Sequence, residues 1–344
     1  MARLDDRWDP DAAASAEGGL FGLPHTPDDA AVVVLPVPWE ATCSYRLGTA
    51  RAPEAIREAS LQVDLLDLDT GEPWREGIAM EAPDELIERL HCEAFPLARG
   101  VVEAGGVIEP AHRYMADNIA ELTARLHQRV REWALQVLDR GAIPGVLGGE
   151  HGVPFGAIQA ASERVPGLAV LHIDAHADLR VAFEGLEWSH ASIMDNVLSR
   201  LPQVSGIVQV GIRDLGHAER DRIAAEPRLT TFFDRDLAWG LAQGRPWGAL
   251  AAEIVAALPD KVWISLDIDG LEPALCPTTG TPVPGGLSWH QLTVLLRVLG
   301  ESGRQIVGFD LCEVGPEPWD ADVGARVLYK LAGWAIATRA EVPR

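Results

Sequence analysis

Six short runs, nearly all apolar and rich in β-branched residues, recur along the chain at 31–36 (AVVVLP), 143–147, 168–173, 206–210, 261–266 and 305–309. A strand with one face in water alternates apolar with polar residues; these runs do not alternate, so both faces of each must be covered. Stretches of helical period lie between them. The clearest places Met115, Ile119, Leu122, Leu126, Val130, Trp133 and Val137 at steps of three and four, and Gly141 supplies its stop. Strands that alternate with helices predict an α/β fold around a mostly parallel sheet, with function on the loops at the carboxyl ends of the strands. Residues 1–29 lack periodicity and are expected to form an acidic, partly ordered extension, leaving 30–344 as one domain. The stretch 69–110, with scattered Gly, Pro and acid, reads as irregular: an insertion or an oligomer contact.

Three of the strand ends carry chemistry. The run at 168–173 continues into Asp174-Ala175-His176-Ala177-Asp178, where an extended chain would project Asp174, His176 and Asp178 to one side. The run VWISLDIDG ends in Asp267 and Asp269, and GVLGGEHG ends in Glu150 and His151 among glycines that allow close backbone approach. Any one of these residues alone would be read as a turn or helix cap. Several carboxylates gathered at the buried mouth of a sheet, however, repel and are costly to desolvate unless cations neutralise them. Carboxylates and imidazoles without thiolate suit Mn²⁺, and less specifically Ni²⁺, Fe²⁺ or Zn²⁺. Two histidines and four aspartates, six donors besides Glu150, exceed what one open catalytic ion needs and fit two ions about 3.5–4 Å apart.

Composition narrows the partners. With 29 basic and 51 acidic residues the net charge is −22, which repels nucleic acid and anionic membrane and attracts cations. No apolar run reaches the roughly 18 residues of a membrane span, and the N-terminus is too acidic for a secretory signal. A cytoplasmic enzyme acting on a small substrate is expected. Cys43, Cys92, Cys276 and Cys312 are scattered, with no C-x-x-C pair, and read as buried apolar fillers.

The segments GGEH, DAHAD, SHAS, SLDIDGLEP with TGTPVPGG, and FDLCEVGP resemble, in order, the signatures of the ureohydrolase family, which includes arginase, agmatinase, guanidinobutyrase and formimidoylglutamase. The likeness runs from about residue 35 to residue 331. It implies a three-layer α-β-α arrangement, the arginase-like fold, and a homo-oligomer, trimer or hexamer. It implies that His151, Asp174, Asp178 and Asp267 hold one manganese, and that His176, Asp174, Asp267 and Asp269 hold the other, with Ni²⁺ as the alternative metal. By the same resemblance His190, in WSHAS, is the proton-shuttle histidine, and Glu313, at the end of IVGFDLCE, is the carboxylate that grips the guanidinium. The implied reaction is attack of a metal-activated hydroxide on a guanidino carbon, releasing urea and an amine.

Departures from the family pattern bear on the substrate. Glu272 replaces an aspartate, residues 276–280 read CPTTG where APGTG is usual, and Gly315 stands where many relatives carry Asn. Arginase anchors its substrate's amino-acid end with small polar residues after the DAHxD loop; residues 179–183 here read LRVAF, which argues against arginine. The SHAS and EVGP variants resemble the agmatinase-like subgroup, so agmatine, hydrolysed to putrescine, leads narrowly. Arg180 would repel its ammonium tail if it faced inward, which keeps 4-guanidinobutyrate, guanidine and a biguanide open. Tyr45, Gly48 and Thr49 match a family loop near the site or form a helix-leading turn. Trp188 and Phe183 wall the substrate's tail or simply pack. A formimino or amide hydrolase on the same fold is argued against by Glu313, and a non-catalytic binding relative by the complete set of six donors.

Overall fold

The computed structural model describes residues 9–15 and 18–339. Its strands are β1 (Val32–Val37), β2 (Ile78–Met80), β3 (Ile143–Gly148), β4 (Ala169–Ile173), β5 (Gly206–Ile212), β6 (Leu229–Phe233), β7 (Lys261–Asp267) and β8 (Gln305–Cys312). All pair in parallel in one sheet of order β2-β1-β3-β8-β7-β4-β5-β6. The helices are α1 (Ala52–Ala59), α2 (Glu85–Glu103), α3 (Pro110–Asp139), α4 (Phe155–Arg164), α5 (Ile193–Arg200), α6 (His217–Ala225), α7 (Asp234–Ala242), α8 (Trp247–Ala256), α9 (Trp289–Glu301) and α10 (Pro318–Ala337).

The sheet divides the apolar interior into two cores, as the unalternating strands require. Val32 and Val34 of β1 meet one face with α1, α8, α9 and α10. Val33, Leu35 and Val37 meet the other with α2, α3, α4 and α5. The fold is therefore a three-layer α/β arrangement, and every one of the six expected strands is present.

Two strands and one helix were not anticipated. β2 is three residues long and β6 is partly exposed, so neither edge strand shows a buried apolar run. The segment 69–110, expected to be irregular, contains α2 as well as β2. Asp84 caps α2 by accepting from Leu86 N (2.9 Å) and Ile87 N (3.1 Å), and Ile87, Leu90, Ala94, Ala98 and Val101 form its buried stripe. Pro96 lies inside it, a residue that ordinarily ends a helix by withholding its N–H. The long helix also begins earlier than its apolar stripe, at Pro110. Cys92, expected to be buried, is exposed on α2, whereas the other three cysteines are buried. Residues 1–8, part of the expected extension, lie outside the described residues; Leu20, Phe21 and Leu23 within it are buried in the first core.

Candidate metal centre and active-site cavity

Strands β3, β8, β7 and β4 are consecutive in the sheet, and each delivers polar residues at its carboxyl end. His151 follows β3, Glu313 follows β8, Asp267 and Asp269 close β7, and residues 174–178 follow β4. The two ends Asp178 (φ 53°) and Glu313 (φ 61°) adopt left-handed backbone, a conformation non-glycine residues rarely keep away from functional sites. β4 stops at Ile173, before the alternation expected of Asp174, His176 and Asp178: the chain bends at Ala175, Asp174 Oδ1 accepts from His176 N (2.6 Å), and His176 makes an isolated parallel bridge with Asp214.

The acceptor atoms converge in two groups. His151 Nδ1 lies 3.1 Å from Asp174 Oδ2, 3.2 Å from Asp178 Oδ2 and 3.5 Å from Asp267 Oδ2. His176 Nδ1 lies 3.0 Å from Asp269 Oδ2 and 3.5 Å from Asp174 Oδ1, so Asp174 faces both groups. Burial and the neighbouring carboxylates raise Asp178 to about 6 and push Asp267 well above the usual carboxylate range. Burial and Asp174 raise Asp269 as well. Asp174 alone is held low: burial opposes its charge, but hydrogen bonds from His151 and His172 more than offset it. Four buried carboxylates set against two imidazoles fit divalent cations, with oxygen and imidazole donors on two adjoining points.

Supporting residues set the imidazoles. His151 Nε2 bonds Ser265 Oγ (2.9 Å), which donates to Asp310 Oδ1 (3.0 Å), and Asp310 Oδ2 accepts from Trp263 Nε1 (2.6 Å). That chain keeps the proton on Nε2 and leaves Nδ1 as the donor atom. His172 stands in the first group but offers nothing to an ion. Gln209 Nε2 donates to its Nδ1 (3.0 Å), and its Nε2 donates to Asp174 Oδ2 (2.9 Å). Ser265 and His172 were not identified as supports from sequence, whereas Asp310 was read only as a residue that supports the neighbouring loops; a polar residue inside an otherwise apolar strand was the available signal.

A cavity of about 160 Å³ opens over these groups, and His190, Glu313, Arg180 and Phe183 line it together with His151, His176, Asp178 and Asp267. Glu313 Oε1 accepts from His151 N (3.0 Å), and Thr279 Oγ1 donates to Glu313 O (2.7 Å). A Cβ at Gly280 would stand 3.1 Å from Oε2, so this glycine keeps space beside the outward oxygen. Gly149 has a similar duty, since its Cβ would strike Trp39 O at 2.1 Å where the two loops cross. Burial, then repulsion from Glu150, raises Glu313 well above the usual range. Burial and the charge of His176 push His190 down to about 4.

The expected substrate contacts fall into two sets. Arg180 Nε is 3.7 Å from Glu219 Oε2, and its guanidinium lies over the Phe183 ring at 4.9 Å. Glu219 is itself fixed by Leu179 N (3.1 Å) and Gly216 N (2.7 Å). Asp214, which sequence reasoning passed over, lines the same cavity, and among the described residues its carboxylate has no partner. Tyr45 is 71% exposed beneath Arg46 and does not line the cavity, although its neighbour Ser44 does. Trp188 is likewise absent from the cavity wall; it packs on His127 (4.7 Å) and Phe155 (5.0 Å).

His127, behind the His151 loop, is expected to set part of the acid sensitivity. Its Nε2 reaches Gly152 O (3.1 Å), and burial pushes it down to about 4. Between pH 6.5 and 4 the unfolded chain takes up a proton that the native ring refuses, so stability falls as pH falls, by on the order of 3 kcal/mol for a full shift. The melting temperature of a His127→Gln variant should therefore decline less steeply than wild type between pH 6.5 and 4.5. Parallel curves would refute this account.

The Arginase family model matches residues 30–335. The chain is 35% identical over 300 residues to the N(1)-aminopropylagmatine ureohydrolase of Thermus thermophilus, covering 86% of this chain and 87% of that one. It is 28% identical to the agmatinase of Bacillus anthracis over 84% of this chain and 85% of that one. The solved structure of proclavaminate amidino hydrolase from Streptomyces clavuligerus superposes with a TM-score of 0.72 at 23% identity, covering 95% and 99% of the two chains, a likeness of fold. Among the described residues no helix is long and apolar enough to cross a membrane.

Proposed function

Since the chain belongs to the arginase family, metal-dependent ureohydrolases that act on guanidino compounds, we propose that its substrate is a guanidine with a cationic amine tail, agmatine first, cleaved to urea and putrescine. One observation carries the choice of tail. Arg180, the cation that would repel an amine, is paired with Glu219, while Asp214 stands unpaired on the same wall. The local balance at the cavity is then acidic, and a close charge outweighs a screened distant one. The names of the Thermus and Bacillus relatives, an aminopropylagmatine ureohydrolase and an agmatinase, point the same way.

The residues would hold two ions, Mn²⁺ by donor type with Ni²⁺ as the alternative: His151, Asp174, Asp178 and Asp267 around one, His176, Asp174, Asp267 and Asp269 around the other. Such a pair supplies Lewis acidity and a water acidified toward neutral pH. Glu313 accepts N–H bonds from the planar guanidinium, turning its central carbon toward the metal cluster. His190, uncharged at neutral pH, takes a proton at its free ring nitrogen and passes it to the leaving amine. Phe183 and the paired Arg180 cover the chain that joins guanidine to tail. Residues 30–344 would act as one catalytic domain within a homo-oligomer.

A panel of agmatine, arginine, 4-guanidinobutyrate, guanidine and a biguanide, assayed for urea with Mn²⁺ and with Ni²⁺, tests this reading. Agmatine should exceed 4-guanidinobutyrate in kcat/KM by about tenfold or more, and Asp214→Asn should erase most of that ratio, the worth of one partly screened charge pair. A preference for 4-guanidinobutyrate would overturn the tail assignment. No urea from any member with metal bound would transfer the site to a formimino or amide substrate.

A further inference from the structure

The loop after β1 crosses the end of β3 and is pinned there by a buried carboxylate. Glu150 Oε1 accepts from Trp39 Nε1 (2.9 Å) and Oε2 accepts from Thr42 N (2.7 Å). Thr42, 1% exposed, in turn grips His190 at two points: its Oγ1 accepts from His190 N (3.1 Å) and lies 3.3 Å from His190 Nδ1. Nδ1 is thus the ring nitrogen that faces Thr42, and the hydroxyl oxygen there can accept its hydrogen. The Thr42 hydroxyl has its own outlet in the Glu150 carboxylate, against which it also packs.

From this geometry we infer that Thr42 is a positioning residue for the reaction: it holds neutral His190 in the Nδ1–H tautomer, with the Nε2 lone pair turned into the cavity. Nε2 has no partner among the described residues, and His190 lines the cavity. An imidazole in the other tautomer would present N–H there and could not take up a proton on that side. Glu150 fixes Thr42, Thr42 fixes the ring, and neither lines the cavity.

This inference rests on the reading of His190 as the proton carrier, but its first test does not need turnover. In ¹⁵N-histidine-labelled, metal-free protein at neutral pH, with His190 assigned by its loss in His190→Gln, wild type is expected to show a protonated Nδ1 and an unprotonated Nε2. Thr42→Val keeps the side-chain volume and removes the hydroxyl; it should shift population to the Nε2–H form. In the metal-loaded enzyme it should lower kcat by roughly tenfold or more at unchanged KM, because proton transfer, not binding, suffers. Thr42→Ser should restore both. An Nε2–H wild type overturns the inference, and so does a kcat loss in Thr42→Val with the tautomer unmoved, which would leave Thr42 a strut. If Thr42→Val does not fold, the wild-type tautomer and Thr42→Ser decide. A wild type that makes no urea from any guanidine would refute the proposed function and leave the tautomer result standing.

Discussion

Replacing Asp174 by alanine is expected to lower urea release by about four orders of magnitude or more, equivalent to roughly 5.5 kcal/mol of transition-state stabilisation. Asp174 faces both donor groups, with Oδ2 toward His151 Nδ1 and Oδ1 toward His176 Nδ1. Its loss therefore removes an acceptor from each; it also frees His172 Nε2, whose partner is Asp174 itself, but a single uncharged imidazole nitrogen replaces neither the charge nor the two-sided reach of the carboxylate. The measurement pairs the urea assay with the metal content of the dialysed protein and with melting in the presence and absence of Mn²⁺. Wild type should melt higher with metal, as any ligand of the native state raises its stability. The variant should hold less metal and lose most of that gain. Wild-type turnover in the variant would show that the two groups are not the catalytic centre.

Glu313→Gln is expected to cost about 3–4 kcal/mol in kcat/KM, a fall of roughly 10²-fold to 10³-fold, while leaving stability unchanged or higher. The two effects separate because they have different origins. Toward substrate, the carboxylate supplies the negative charge a guanidinium requires, and an amide does not. Toward the protein, that charge is a burden: Glu313 is 6% exposed and is repelled by Glu150. Glutamine can still accept from His151 N, so the loop contact survives. A variant with wild-type kcat/KM would remove Glu313 from the site, and one that loses activity together with its melting transition would mark it as structural.

The central part of this molecule is legible in sequence because burial on both faces writes itself as unbroken apolar runs. β1, β3, β4, β5, β7 and β8 all carry that signature. The edges do not: β6 has Thr230 exposed and β2 is too short to show a pattern. α2 was hidden by Pro96, whose cost is local, while the stripe from Ile87 to Val101 that outweighs it is spread over the whole helix. At the site, the donors could be read because they sit at strand ends in family-like motifs. Their supports could not. Ser265 reaches His151 from β7 and Thr42 reaches His190 across 148 residues, contacts that only the folded sheet creates. The direction of Arg180 was open for the same reason, since Glu219, which settles it, belongs to a separate helix.

The order of the strands also bears on how the sheet can assemble. β8, the last strand along the described chain, lies inside the sheet between β3 and β7. Until residues 305–312 are in place, the half of the sheet built on β1 and β3 shares no strand with the half built on β4, β5 and β7. Contacts of such long sequence separation form late, because the loops that close them are entropically expensive. The half with β4 and β7 bears Asp174, His176, Asp178, Asp267 and Asp269, whereas His151 and Glu313 arrive only when β8 docks. An ion captured by the early half would meet an acid-rich, incomplete donor set, which the docking of one central strand would complete.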